Sequence, residues 1–204
     1  MPINSITNQR LNKYLIASGF NHERAIKLYG WGIQLNEAFY PLLSAAEISF
    51  RNIVASQIIR VYGENWWTDP VFLSSIGKGS RTILAVTVPM KRKGAVTSDK
   101  VIAAVTFGFW VKTLLPAHKN TLWNDFPAAF PCLPENITYE ELGAQAERIL
   151  EFRNRVFHHE PIIQRNLSND ASELLKFIGW MNTNKAHWIK PYSRVMQVMR
   201  SKPK

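Results

Sequence analysis

Apolar residues recur along most of this chain at spacings of three and four, the period of an amphipathic α-helix. One broad apolar stripe within residues 37–61 consists of Leu42, Leu43, Ala46, Phe50, Ile53, Val54 and Ile58. Helices of this kind bury their stripes against one another, so the pattern predicts an all-α fold, most simply a helical bundle with additional helices. Because no repeat or domain boundary interrupts the 204 residues, we predict a single domain over residues 1–204.

Local signals place the ends of several helices. Asn21 stands at an N-cap position, and Thr138 with Glu141 forms a capping box at the start of the clearest helix. Pro161 disfavours helical geometry at the residue before it, so that helix should end within residues 158–160. We predict helices over residues 11–16, 24–35, 37–61, 80–90, 98–115, 119–125, 138–160, 168–180 and 183–200.

Other segments leave alternatives open. Residues 62–78 predict a loop, in which Trp66 and Trp67 either stack on bases or hold the loop against the core. Val and Thr alternate within residues 83–88, a pattern that fits a strand as well as a helix. Residues 91–94 predict an exposed basic turn, which is either solvated or in contact with phosphate. Pro41 either occupies the first turn of its helix or kinks it.

The charge balance narrows the classes of partner. The chain carries 25 Lys and Arg against 15 Asp and Glu, which gives a formal net charge of +10. A basic globular chain indicates a polyanionic partner, namely RNA, DNA or an anionic membrane surface, unless the charge is incidental.

Cysteine usage and hydropathy argue against further classes of protein, namely disulfide-linked, secreted and membrane-spanning ones. Cys132 is the only cysteine, so the chain has no intramolecular disulfide or cysteine-rich zinc site, and a reducing, cytoplasmic setting fits best. Residues 1–10 lack a secretory signal pattern, and the longest apolar run, residues 101–111, is shorter than the roughly 20 residues of a membrane span. We expect a soluble protein with no membrane contact. His22, His118 and His187 are too scattered to indicate a metal site, and we expect no metal or other cofactor.

Polar groups crowd the predicted end of the 138–160 helix. Asn154 and His158 are four residues apart and share a face, as do Arg155 and His159. Arg153 and His158 are five apart, roughly 140° around the axis, so they flank a shared surface. A helix C-terminus favours a protonated imidazole and neighbouring arginines disfavour it, and histidine exchanges protons near physiological pH.

Arginine with histidine and no metal suits phosphodiester cleavage in RNA. The histidine takes the 2′-OH proton, and the arginine holds the phosphate and the charge that builds on it. DNA lacks the 2′-OH, so this chemistry selects RNA. The alternative is a solvated basic helix end in which His158 covers the last carbonyl groups.

Three blocks of sequence resemble one family in the same order along the chain. The run Arg153-Asn154-Arg155-Val156-Phe157-His158 fits the Arg-x4-His motif of HEPN-domain ribonucleases, and its continuation through residues 159–162 resembles the Abi-like (abortive infection) bacterial proteins. Residues 46–52 are similar to that family's Glu-x3-Arg-Asn helix, and residues 106–111 to its Phe-Gly-Phe-Trp segment. The resemblance extends from about Leu11 to about Arg194.

The resemblance implies a HEPN-like bundle that cleaves RNA without a metal, in phage defence or a toxin–antitoxin system. Arg153 and His158 match the two motif residues, and Asn154 matches the polar position after the arginine. Cleavage by this route leaves 2′,3′-cyclic phosphate ends. Because family members can be inactive, the alternative is a non-catalytic module that binds RNA or protein. A structural helical protein with incidental basicity is a third reading.

Further residues are candidates for support of the site. Glu47 and Arg51 are an i,i+4 pair, which predicts a salt bridge within one helix. The functional alternative places Arg51 and Asn52 beside the Arg153 helix, where they contact RNA or orient His158. Arg155 and His159 are supporting candidates at the same helix end, whereas Trp110 is predicted to pack in the core.

One histidine per chain supplies only one of the two proton-transfer roles that cleavage requires. A two-fold homodimer with both Arg–His helix ends across one groove would supply the second role, and the resemblance implies the same arrangement. We therefore predict a homodimer with a composite site, RNA as the substrate, and an antitoxin or other defence-system protein as a further partner.

Overall fold

The computed structural model describes residues 6–204, and every regular element in that range is helical, with no β-strand. The all-α prediction is confirmed. The α-helices are α1 (Asn8–Ala17), α2 (His22–Tyr62), α3 (Pro70–Ser75), α4 (Ser80–Lys93), α5 (Ser98–Ala104), α6 (Phe107–Lys112), α7 (Phe126–Ala129), α8 (Tyr139–Phe157), α9 (Leu167–Met181), α10 (Thr183–Ile189) and α11 (Val195–Arg200). Within residues 6–204, no helix is both long enough and apolar enough to cross a bilayer.

The long helix α2 is the centre of the fold. It packs against α1, α6, α8, α9, α10 and α11. The Phe50 ring lies 5.9 Å from the Phe107 ring of α6 and 5.5 Å from the Phe177 ring of α9, between centroids. Phe39 packs edge-on against Phe152 of α8 at 4.8 Å. Helix α2 therefore holds α6 and α8, the two helices that carry the candidate site, in one core.

Helix α2 is continuous where we predicted two helices. The Asn21 side chain accepts a hydrogen bond of 2.9 Å from the Arg24 N–H, so the predicted N-cap is confirmed. Pro41 lies inside the helix and removes one N–H, at a cost of about 3 kcal/mol or more. The turns on both sides of Pro41 bury large side chains, including Phe39 and Leu42, so packing offsets the lost hydrogen bond.

The 62–79 region is more ordered than the predicted loop. It contains α3 and two 3₁₀ turns, Trp66–Thr68 and Gly77–Gly79. Trp66 is fully buried, and its Nε1–H donates to Ser98 Oγ at 3.0 Å. Trp67 is buried as well, so both indoles hold this region against the core and stacking on bases is the wrong alternative.

Helix α4 settles the choice between helix and strand at residues 83–88. Residues 83–88 lie inside the helix, so the strand alternative is wrong. Residues 91–93 form its exposed last turn, whereas we predicted that they belong to the basic turn itself. The helix ends at Gly94, whose φ of 134° belongs to the left-handed side of backbone space that favours glycine.

Two predicted helices are divided. The 98–115 helix breaks at Val105, where the backbone is extended at φ −78° and ψ 140°, and α6 begins at Phe107. The 183–200 helix gives way to the 3₁₀ turn Lys190–Tyr192 at Pro191 and resumes as α11. The predicted 119–125 helix is absent from these described residues, and the 3₁₀ turn Pro116–His118 and α7 flank that segment instead.

Candidate functional site

Helix α8 presents the Arg-x4-His motif at its end. It begins with the predicted capping box, in which the Glu141 N–H donates to Thr138 Oγ1 at 3.2 Å and the Thr138 N–H donates to Glu141 Oε2 at 2.8 Å. It ends at Phe157, and His158 is the C-cap, whose N–H donates to the Asn154 carbonyl at 2.8 Å. The predicted helix end is therefore correct, and His158 leaves the helix just as the chain turns.

The residues after His158 form a tight reversal. His159 has a φ of 56°, in the left-handed region, and its carbonyl accepts a hydrogen bond of 3.3 Å from Arg10 Nη1. The Glu160 N–H donates to the Arg155 carbonyl at 2.8 Å, and the Arg155 and Glu160 side chains form an exposed ion pair at 3.3 Å. These contacts satisfy the helix end and hold the backbone on both sides of His158.

A carboxylate and an aromatic ring hold the Arg153 side chain. Its Nε–H donates to Glu47 Oε2 on α2 at 3.0 Å, and both side chains are about a quarter exposed, at 25% and 24%. Its guanidinium carbon lies 4.2 Å from the centroid of the Phe157 ring, a cation–π contact. Two groups on different elements therefore fix the plane of the guanidinium.

A groove of about 860 Å³ joins this helix end to other parts of the fold, and we call it the Arg–His groove. Its lining side chains or backbone belong to Ile76, Lys78, Gly79, Thr82, Thr106, Phe107, Gly108, Phe109, Lys112, Thr113, Leu115, His118, Leu150, Arg153, Asn154 and His158. Of these described residues, three are cationic, two are histidines and none is acidic. Apolar side chains with cationic side chains around them suit an anion that carries a flat apolar ring, such as a nucleotide.

The break before α6 forms one wall of the Arg–His groove. Thr106 is extended, and α6 then packs against α8, where a Cβ on Gly108 would lie 3.7 Å from the Leu150 side chain. Phe107 and Phe109 line the groove. Trp110 is fully buried, which confirms its predicted place in the core.

Glu47 does not pair with Arg51 as predicted, because it reaches α8 and pairs with Arg153. Arg51 is half-buried, and its Nε has no hydrogen-bond partner among the described residues. The burial of Lys185 on α10 lowers its pKa, and the nearby charge of Arg51 lowers it further, so Arg51 lies toward α10.

Asn52 does not line the Arg–His groove. It lines a different cavity of about 360 Å³ between α2 and the α7 region, with Arg60 and Ala128 among its neighbours. The structure therefore does not bring Asn52 into the Arg–His groove with Arg153 and His158. The reason is helical geometry, because residue 52 is 140° around the axis from residue 47, which does reach Arg153.

The doubled histidine is divided by the reversal. His158 lines the Arg–His groove, whereas His159 and Arg155 are exposed and stand outside its lining. Arg153 and Asn154 line the groove with His158, and Arg153 Nη1 lies 3.5 Å from Asn154 Oδ1. The two motif residues, Asn154, and Glu47 through its pair with Arg153 are thus the part of the predicted set that the fold brings together.

Sequence reasoning missed Lys78, Lys112 and His118, which line the same groove. The general excess of positive charge is the one signal that points to the lysines, and it does not single them out. His118 is only 6% exposed, and burial lowers the pKa of its imidazole. Within residues 6–204, no three His, Cys, Asp or Glu side chains cluster closely enough to share a metal ion.

The comparisons with known proteins give no family assignment. No family model, no curated protein and no solved structure matches this chain. The resemblance to HEPN and Abi-like proteins therefore remains a prediction that rests on the three sequence blocks.

Proposed function

We propose that this protein is a metal-independent endoribonuclease of a phage-defence (abortive infection) or toxin–antitoxin system. The observation that carries the proposal is the shared groove: Arg153 and His158 line it together with two lysines, and no described acidic residue does. A cationic groove with an imidazole at one end favours a phosphodiester and supplies a group that exchanges protons with it.

The proposed reaction is an attack of the RNA 2′-oxygen on the adjacent phosphorus. The 2′-OH proton passes to the His158 imidazole, the bond from phosphorus to the 5′-oxygen breaks, and that oxygen takes up a proton. The products are a 2′,3′-cyclic phosphate and a 5′-hydroxyl. Because Arg153 Nε is committed to Glu47, the terminal Nη groups of Arg153 are the donors for the phosphate oxygens.

Glu47 and Phe157 act on RNA only through Arg153. A guanidinium whose plane is already fixed by an ion pair and a ring loses little freedom when it binds the charge of the transition state. The side-chain carbonyl oxygen of Asn154 accepts a hydrogen bond from Arg153 Nη1, so Asn154 also helps to hold the guanidinium.

Cleavage requires a second proton-transfer group, and in a homodimer the other copy would supply it. A cluster of exposed apolar side chains, which we call the aromatic patch, comprises Tyr40, Ile48, Trp188 and Tyr192. The Tyr40 ring lies 6.0 Å from the Phe157 ring, which in turn underlies Arg153, so the patch adjoins the site. Exposed apolar patches of this kind are typical of protein interfaces. A second copy on this patch would bring a second Arg–His end toward the first.

The cellular role that fits is arrest of growth through destruction of RNA in the cytoplasm. Such an activity must be restrained until it is needed, so we propose an antitoxin or another defence-system protein as a partner.

Product analysis tests the proposed function. We expect the purified protein to cleave single-stranded RNA in EDTA and to leave 2′,3′-cyclic phosphate ends, whereas Arg153→Ala and His158→Ala should lose cleavage. An all-2′-deoxy oligonucleotide of the same sequence is the control and should remain intact. Loss of activity in EDTA, or normal cleavage by both variants, would contradict the mechanism.

One observation favours a second candidate function, a non-catalytic module that binds RNA or protein. Arg153 is already paired with Glu47 and stacked on Phe157, which is how a purely structural arginine is held. In that case RNA binding should weaken with salt and occur without cleavage, and Arg153→Ala should lose stability instead of activity.

A further inference from the structure

The Arg–His groove extends well beyond the motif residues. One end lies at the C-terminus of α8, with Arg153 and His158. The other end is lined by Lys112, Leu115 and His118 and lies beside the first half of α8, where the adjacent Leu114 carbonyl would be 3.6 Å from a Cβ on Gly143.

The two ends are too far apart to act on one phosphate. From Gly143 to Arg153 the helix advances by about 15 Å at a rise of 1.5 Å per residue. Stacked nucleotides advance by about 3.4 Å each, so that length corresponds to several nucleotides. His118 therefore does not share a scissile phosphate with His158, although both line the groove.

His118 is a rigid polar group at the far end. Its backbone N–H donates to the Leu115 carbonyl at 2.9 Å, and its carbonyl accepts from the Leu122 N–H at 2.9 Å, so the residue is fixed at both sides. The ring lines the groove, and it makes no hydrogen bond with the part of the chain that the structure describes. Burial lowers the pKa of the imidazole and so favours its neutral form, which carries one donor and one acceptor.

The groups around His118 complete a site for a nucleotide. Lys112 is exposed at the end of α6, and Phe109 stands one turn earlier along the same helix; both line the groove. A cation suits a phosphate, and an imidazole with a donor and an acceptor suits a base edge; Phe109 is buried and serves only as an apolar wall.

We propose that this far end is a nucleotide-recognition subsite for single-stranded RNA, in which His118 hydrogen-bonds a base edge and Lys112 binds a phosphate several nucleotides from the cleaved bond. The inference rests on the proposed function, because it assigns the remainder of the groove to the same strand. A single strand is required, since the base edges in an RNA duplex are engaged in pairing or lie in a groove too narrow for side chains.

Binding of uncleavable oligonucleotides tests the subsite without any catalytic step. The probes are a fluorescent all-2′-deoxy dinucleotide and the corresponding hexanucleotide, and the readout is fluorescence anisotropy at low salt. The wild type should bind the hexanucleotide more tightly than the dinucleotide, because only the longer probe reaches His118. His118→Gln and Lys112→Gln should each weaken hexanucleotide binding about three- to tenfold and leave dinucleotide binding unchanged.

Lys91→Gln is the matched control, since Lys91 is an exposed lysine in the last turn of α4 that does not line the groove. If His118→Gln fails to fold, the exposed Lys112 variant decides the question by itself. Equal affinity of the wild type for both probes, or a Lys112→Gln protein that binds the hexanucleotide as the wild type does, would overturn the subsite. The binding assay does not measure cleavage. A protein that shows the length dependence in this assay but does not cleave RNA in the product analysis would refute the nuclease proposal and leave the subsite intact.

Discussion

The Nε atom of Arg153 on α8 donates a 3.0 Å hydrogen bond to Oε2 of Glu47 on α2. The pair joins two helices that are far apart in sequence, and each side chain is about a quarter exposed, at 25% and 24%. The guanidinium lies over Phe157, and Nη1 also donates a hydrogen bond of 3.5 Å to Asn154 Oδ1, so the remaining N–H groups of the two terminal nitrogens are left for a ligand. The orientation of the proposed phosphate-binding group thus depends on a carboxylate from another part of the chain.

Removal of that carboxylate should impair catalysis more than folding. Glu47→Ala should lower kcat for RNA cleavage by about ten- to a hundredfold, because a misplaced group costs up to that factor. Glu47→Gln should retain part of the activity, since its amide oxygen still accepts the hydrogen bond. Glu37→Ala, which removes an exposed ion pair with Arg194, is the control and should cleave at the wild-type rate. Equal kcat for the Glu47 variants and the wild type would contradict the positioning role.

The stability of the fold should fall when the pH drops below the ordinary pKa of histidine, about 6.5. Burial lowers the pKa of His118, so the unfolded chain binds a proton at a pH where the folded protein does not. The stability is therefore complete above the unfolded pKa and is lost as the pH falls toward the lowered folded pKa. Urea unfolding of the wild type and of His118→Gln from pH 7 to pH 5 tests this.

In that comparison the His118→Gln protein should lose the decline between pH 7 and pH 5. Glu140 and Glu141 also have lowered pKa values, Glu140 chiefly through its hydrogen bond with Lys119 and Glu141 through the capping box. Their contribution is lost at still lower pH, in both proteins alike. Identical pH profiles for the two proteins would count against a neutral, buried His118.

The capping box of α8 should contribute to stability without touching the site. Thr138→Ala removes the side-chain oxygen that accepts the Glu141 N–H, and caps of this kind contribute about 1 kcal/mol. We expect a lower Tm and an unchanged cleavage rate for the folded fraction. Ser74→Ala, at an exposed position within α3 that caps no helix, is the control and should melt as the wild type does.

The aromatic patch should govern self-association. Trp188 is 59% exposed and lies 5.3 Å from the Tyr192 ring, so Trp188→Ala removes much of the apolar surface that we assign to the dimer. Sedimentation should show a dimer for the wild type and a shift to monomer for the variant, with a matching loss of cleavage. Val71→Ala, which alters an exposed apolar residue on α3, should leave the dimer intact. A wild-type monomer that still cleaves RNA would refute the composite site.

Sequence patterns predicted the helical class and the local ends of helices well. The Asn21 cap, the Thr138 capping box and the end of α8 at His158 are confirmed, because each depends on a few neighbouring residues. The break at Val105 was missed, since its residues are apolar and the extended backbone arises from the packing of α6 against α8. The continuity of α2 was not predicted, because sequence does not show the burial on both sides of Pro41, which we expected either in the first turn of its helix or at a kink.

The candidate site follows the same pattern: its local features could be predicted from the sequence, and its tertiary contacts could not. The Arg153–His158 spacing lies within one helix end and was visible in the sequence. Glu47 was singled out but given the wrong partner, because i,i+4 spacing was visible and its approach to α8 was not. Lys112 at the end of α6 and His118 in the turn after it reach the groove through tertiary packing, which no periodicity encodes.

The most direct test of the account compares two adjacent histidines in one cleavage assay. His158→Ala and His159→Asn are measured against the wild type on single-stranded RNA in EDTA; asparagine is chosen because it tolerates the left-handed backbone at residue 159. The account predicts that His158→Ala slows cleavage by about a hundredfold or more, as loss of a general base does, while His159→Asn cleaves normally. Cleavage at the wild-type rate by His158→Ala would contradict the central claim.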